Sequence, residues 1–161
     1  MVNARREGRE LPISLFYSYA HSDEDLRMKL EKHLALLKRQ NVISTWHDRK
    51  IEAGSEWKTQ IDVHINHAQI ILLLISPDFI ASDYCYDVEL KQALERHKKG
   101  LAQVIPIILR PVHWQNAPFS QFQALPTDAK PITLWSNEDS AFLSVAQGIR
   151  RAVESLMKAA L

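Results

Sequence analysis

Apolar runs of strand length alternate along this chain with stretches of helical periodicity. Ile13 to Tyr19 (ISLFYSY) is rich in β-branched and aromatic residues and predicts a first strand. Ser22 then caps a helix whose first turn holds Asp23, Glu24 and Asp25, where the helix dipole favours anions. Leu26, Leu30, His33, Leu34 and Leu37 keep helical spacing, and Asn41 closes the helix. Val42 to Trp46 predicts a short second strand, followed by a polar loop from Asp48 to Trp57 (DRKIEAGSEW). Ser55 caps the next helix, with Trp57, Ile61, Ile65 and Ala68 on one face. Ile70 to Ile75 (IILLLI) is the most apolar run and ends at Ser76–Pro77, the pattern of a strand buried on both faces.

A helix is predicted from Ser82 or Asp83. Tyr86, Leu90, Ala93, Leu94 and His97 form its apolar stripe, and Gly100 stops it. Val104 to Leu109 (VIPIIL) predicts a fourth strand. Pro106 cannot donate a ladder hydrogen bond, which places this strand near a sheet edge or a local break. Residues 110 to 131 hold Pro111, Pro118, Pro126 and Pro131 with Trp114, Phe119 and Phe122, a long loop packed by its own aromatics or used in function. Ile132 to Trp135 reads as a fifth strand. Ser136 with Asp139 resembles a capping box opening a last helix through Phe142, Val145, Ala146, Ile149, Val153 and Leu156. Residues 1 to 10 read as a loose polar tail and 11 to 161 as one domain. The alternation predicts an α/β, flavodoxin-like three-layer fold, with a five-stranded, mostly parallel sheet in the order 2-1-3-4-5 and right-handed crossovers.

Composition narrows the chemistry. The 161 residues suffice for one domain, and 20 basic against 19 acidic residues argue against a broad nucleic-acid or membrane surface. Neither a membrane-spanning run nor a signal-peptide core is present, so a cytoplasmic domain is expected, cut from a longer protein because its last helix runs to the final residue. The single cysteine, Cys85, rules out an internal disulfide framework and a cysteine-built zinc site. Four unclustered glycines rule out a glycine-rich phosphate cradle.

The stretch after the third strand is the best candidate for a site, because α/β folds place ligand chemistry beyond the C-terminal ends of their strands. On an ideal helix Glu89 lies about 40° from Ala93, at the rim of the buried stripe, whereas Asp87 lies about 160° from Glu89. Only one of the two carboxylates can face a cleft, and Glu89 is preferred. Cys85, one turn before Glu89, reads as a small buried hydrophobe. His64 and His67 share a helix face without a third ligand, so no metal site is expected. Trp57 reads first as a packing anchor and second as a stacking platform. Arg49 and Lys50 suit phosphates or stand as solvated charges.

Three segments carry a family resemblance: FYSYAHSDED (Phe16 to Asp25), WHDRKIEAGSEW (Trp46 to Trp57) and LLISPDFIASDYCYDVEL (Leu73 to Leu90). Together, in this order and spacing, they resemble the signature segments of Toll/interleukin-1 receptor (TIR) domains, most closely the bacterial branch, from about Leu11 to Leu156. Some members of that family only assemble signalling complexes. Others cleave NAD between nicotinamide and ribose, using a glutamate that falls by resemblance on Glu89. The resemblance further implies substrate contacts at Tyr19, His21, Arg49, Lys50, Trp57, Asp62 and Tyr86. It also implies a loop, here Asp48 to Glu56, that serves both assembly and the NAD site. The family form puts Trp four residues before the glutamate, followed directly by Cys. Here Cys85 holds the position four before Glu89, and Tyr86 is expected to supply the ring.

The leading expectation is therefore an NAD glycohydrolase or cyclase, consuming NAD as substrate with no cofactor. It is expected to be activated by self-association and to serve antiphage defence beside a fused or partner sensor domain, with no direct nucleic-acid or membrane contact. The alternative is a TIR module that only docks with other TIR domains. A phosphoacceptor receiver of the same architecture is disfavoured, because Ser76 stands where its aspartate would end the third strand.

Overall fold

The structure is a computed structural model, and it describes residues 11–47 and 53–159. Its centre is a parallel sheet of four strands in the order β2-β1-β3-β4, formed by β1 (Ile13–Ser18), β2 (Ile43–Trp46), β3 (Ile70–Ile75) and β4 (Gln103–Ile108). The helices are α1 (Glu24–His33), α2 (Ala35–Arg39), α3 (Trp57–His67), α4 (Pro77–Ala81), α5 (Leu90–Lys98) and α6 (Glu138–Ala159). A π-helical turn, Tyr84–Glu89, runs directly into α5.

Strand side chains alternate between faces, and this sorts the core into two layers. Leu15, Tyr17, Ile70, Leu72, Leu74, Ile105 and Ile107 meet Leu30, Leu34, Phe142, Val145 and Ile149 of α1 and α6. Phe16, Ile71, Leu73, Ile75, Val104 and Ile108 meet Ile61, Ile65, Phe79, Cys85, Leu90 and Ala93, from α3, α4, the π turn and α5. Every residue of β3 is buried, as its unbroken apolar run requires between two helical layers. Phe119, from the proline-rich segment, is fully buried in the second layer, so that segment is packed by its own aromatics.

The expected fifth strand is absent among the described residues. Ile132–Leu134 is a 3-10 turn that buries Ile132 and donates Thr133 N–H to the Leu109 carbonyl at 3.1 Å. The outer edge of β4 is met instead by a single residue. Leu125 donates to the Pro106 carbonyl at 2.9 Å and accepts from Ile108 N–H at 2.8 Å. Pro126 follows it and has no N–H with which to extend the ladder, and Pro131 stands just before the expected strand. Pro106 predicts a place near an edge or a local break, and β4 is the edge strand of the four. Two left-handed residues close helices where the sequence placed its stops, Asn41 (φ 58°) and Gly100 (φ 72°). The single helix expected from Ser82 or Asp83 is instead the π turn running into α5, and α4 precedes both. Ser76 Oγ caps α4 by accepting from Phe79 N–H at 3.1 Å.

Candidate functional site

The C-terminal ends of β1, β3 and β4 lie side by side, and the buried Ser18, Asp23, Ser76 and Glu89 gather there. Ser18, the last residue of β1, is fully buried and shares the face of Phe16. Its hydroxyl donates to Glu89 Oε1 at 2.6 Å, a bond between residues 71 apart in sequence. Glu89 itself is 4 % exposed, while Asp87 is exposed. Glu89 ends the π turn, and turns of this kind are rare and frequent at functional sites. Ser82 Oγ accepts from Cys85 N–H at 3.1 Å and so ties down the start of that turn.

In an α-helix a residue five before Glu89 would point about 140° away. An i→i+5 turn brings residues five apart toward one face, and Tyr84 is the residue so placed. The Tyr84 ring meets Trp57 edge-on at 5.1 Å, and Trp57, at the start of α3, is 54 % exposed. The rings standing on the Glu89 side of the sheet therefore include Tyr84 and Trp57. Tyr86 is half-buried against the second core layer. Farther out on this face, Phe16 stacks on Trp46 at 5.5 Å and Trp46 on His64 at 4.1 Å.

Other candidates lie elsewhere. Tyr19 continues the odd-numbered series of β1 and faces the opposite layer. Its hydroxyl donates to Glu24 Oε2 at 2.6 Å and lies 3.4 Å from His47 Nδ1. His21 is exposed on a 3-10 turn, its ring 6.3 Å from that of Tyr19. Asp62 is half-buried on α3, where Oδ1 accepts from Gln92 Nε2 at 3.1 Å and links α3 to α5. Arg49 and Lys50, most of the loop from Asp48, and the tail 1–10 lie outside the described residues. Among the described residues no cluster of His, Cys, Asp and Glu could hold a metal ion.

Beside the site lies a polar cluster of residues far apart in the sequence. Asp23 is buried, accepts from Ser76 Oγ, and pairs with Arg110 Nε at 2.9 Å. Arg110 also reaches Asp78 at the start of α4. Burial pushes the Arg110 guanidinium down, but its bonds to Asp23 and Asp78 outweigh that and raise it above its ordinary value. These contacts join the ends of β1, β3 and β4. On the opposite face Glu31 accepts from Tyr17 at 2.6 Å, Lys38 at 2.6 Å and Thr45 at 3.0 Å. Burial pushes the Glu31 carboxyl up, yet the hydrogen bonds from Lys38 and Tyr17 outweigh it and hold the group below the ordinary carboxylate range. Burial, followed by the Glu31 charge, drives the Tyr17 phenol well above its usual value.

A four-stranded parallel sheet thus lies between two helical layers, with a buried carboxylate beyond the end of β1. The TIR domain family matches residues 15–146, and the chain belongs to that family. A relative from Sinorhizobium fredii, the protein y4lF, is 56 % identical over 147 residues. The match covers 91 % of this chain and 46 % of the relative, so the chain spans about half of that protein's length. Among solved structures, the TIR domain of the Toll-related receptor TRR-2 from Hydra magnipapillata superposes with a TM-score of 0.63 at 20 % identity. The match covers 87 % of this chain and 97 % of that one. The TIR domains of the activated Roq1 resistosome, which directly recognizes the pathogen effector XopQ, give a TM-score of 0.51 at 21 % identity, covering 92 % and 83 %. At these identities the two structures speak for the fold. No helix among the described residues is long and apolar enough to cross a membrane.

Proposed function

We propose that this TIR domain is an NAD nucleosidase, a glycohydrolase or ADP-ribosyl cyclase, with Glu89 as its catalytic residue. The observation that carries the reading is the Glu89 carboxylate, buried at the C-terminal edge of the sheet, bonded to Ser18, with the Tyr84 and Trp57 rings on the same side. In NAD the nicotinamide ring is already cationic. It leaves as the neutral amide, taking the electron pair of the bond to ribose, so no strong general acid is needed. Positive charge then develops on the ribose, where a fixed carboxylate stabilises it. Water adds to the anomeric carbon and releases a proton that Glu89 accepts, giving ADP-ribose. Addition of an adenine nitrogen in place of water gives a cyclic product. The exposed Trp57 ring, with Tyr84 against it, suits stacking on a flat heterocycle.

Self-association is part of this reading. The Roq1 structure, similar in fold, is of TIR domains within an activated resistosome. The relative's further length leaves room for a sensing domain that drives clustering, in a bacterial defence response. The second reading, a docking module without catalysis, draws on the 4 % exposure of Glu89, which keeps the carboxylate nearly closed to a substrate. Nicotinamide release per molecule, measured with the domain dilute and then tethered densely on beads, separates the two. The enzyme reading predicts release that rises steeply on clustering. Release absent in both states supports the docking module, and a rate per molecule independent of density removes assembly from the account.

A further inference from the structure

Ser18 stands out as a polar residue that the rest of β1 does not explain. From Leu15 onward the strand is wholly buried, and Phe16, its neighbour on the same face, packs in an apolar layer. A hydroxyl at zero exposure in such a layer is unfavourable unless it is hydrogen-bonded. Its partner is the Glu89 carboxylate at 2.6 Å, within the range of a hydroxyl bonded to a charged oxygen. The two ends of the bond differ in kind. Ser18 belongs to a strand paired on both sides, at Phe16↔Trp46 and Ser18↔Leu73. Glu89 sits where the π turn changes into α5, on a long side chain with several rotatable bonds.

We propose that Ser18 is the positioning residue of the site. On this proposal, which rests on the nucleosidase reading above, its hydroxyl fixes one oxygen of Glu89 and so sets the plane of the carboxylate against the ribose before substrate arrives. A rigid strand end thus serves as the reference point for a carboxylate carried on an irregular turn. Orientation of this kind acts on the chemical step rather than on substrate affinity.

The test compares the clustered parent domain with Ser18→Ala and Ser18→Thr, each checked for folding by circular dichroism. Ser18→Ala is expected to lower kcat by about 10- to 100-fold while KM stays within about twofold, and Ser18→Thr, which keeps the hydroxyl, to restore most of the rate. A second readout does not depend on turnover. In protein labelled with 13C at the glutamate carboxyl, the Glu89 resonance is identified by its loss in Glu89→Gln. That resonance is expected to move in Ser18→Ala and to return in Ser18→Thr. If Ser18→Ala fails to fold, Ser18→Cys, of nearly the same volume but with only a weak donor, replaces it in both measurements. An active parent with unchanged kcat in Ser18→Ala overturns the proposal, as does an unmoved Glu89 resonance. An inactive parent removes the nucleosidase reading, and the resonance alone then decides whether Ser18 orients the carboxylate.

Discussion

Replacing Arg110 by Met tests whether the cluster beside the site holds the sheet ends together. The side chain of Asp23 is 2 % exposed, that of Arg110 is 31 % exposed, and their ion pair is 2.9 Å long. Arg110→Met keeps much of the aliphatic stem but leaves Asp23 with the Ser76 hydroxyl in place of the ion pair. Stranding a fully buried charge costs about 3 to 5 kcal/mol. Arg110 is a third open to water, which can enter the vacated space, so a cost of about 2 to 3 kcal/mol is expected. For a domain of this size that lowers the melting temperature by roughly 4 to 12 °C. The second contact of Arg110, to Asp78, adds little, because Asp78 lies at the surface and solvent screens it. Asp78→Asn should therefore leave the denaturation midpoint almost unchanged. The double variant Asp23→Asn, Arg110→Met should recover at least half of the loss, since the stranded charge is gone. Urea denaturation of the four proteins, with equal slopes, is the assay. The reasoning is refuted if Arg110→Met and Asp78→Asn have the same small effect, or if neutralising Asp23 restores nothing.

Three further outcomes follow from named contacts. Glu31 is held below the ordinary carboxylate range in the fold, so its contribution is fully present above its unfolded pKa and is lost as pH falls through the folded value. Tyr17→Phe removes one of its donors and should cost about 1.5 to 3 kcal/mol at neutral pH, a loss that shrinks in denaturation experiments run through the acid range. Gly148 sits within α6, and a Cβ there would come within 2.6 Å of the Leu125 methyl groups. The half-buried Leu125 side chain must turn aside, which offsets the better helix propensity of alanine, so Gly148→Ala should change stability by less than about 1 kcal/mol, as read by thermal melting. Trp57 is half exposed, so Trp57→Ala should leave stability nearly unchanged while raising the KM for NAD in the clustered domain.

The fold was legible where hydrophobic periodicity and length agreed. The unbroken run at Ile70 to Ile75 places β3 in the middle of the sheet, and Pro106 places β4 at its edge. Ile132 to Trp135 misled because a short apolar run between proline and serine has the composition of a strand. What decides against it is the hydrogen-bonding capacity of its neighbours, Pro126 and Pro131, which an apolar pattern does not register. At the site, the spacing to Ala93 put Glu89 at the rim of the apolar stripe, and the fold buries it. The resemblance implies Tyr19, whereas strand alternation from Phe16 puts Ser18, not Tyr19, on the Glu89 face. That signal was present in ISLFYSY and can be read by parity alone. The rotation of Tyr84 toward Trp57 depends on a π turn, for which helical periodicity at 100° per residue has no expression. The meeting of Asp23, Ser76, Asp78 and Arg110 joins residues up to 87 apart in sequence, and only the closing of the sheet brings them together.

The central claim is that the Glu89 carboxylate breaks the bond between nicotinamide and ribose. Its most direct test is a chromatographic time course of NAD, nicotinamide and ADP-ribose species, with the parent, Glu89→Gln and Asp87→Asn each tethered at the same density and each shown to be folded. The account predicts equal release of nicotinamide by the parent and Asp87→Asn, and none by Glu89→Gln. Turnover retained in Glu89→Gln, or lost only in Asp87→Asn, would contradict it.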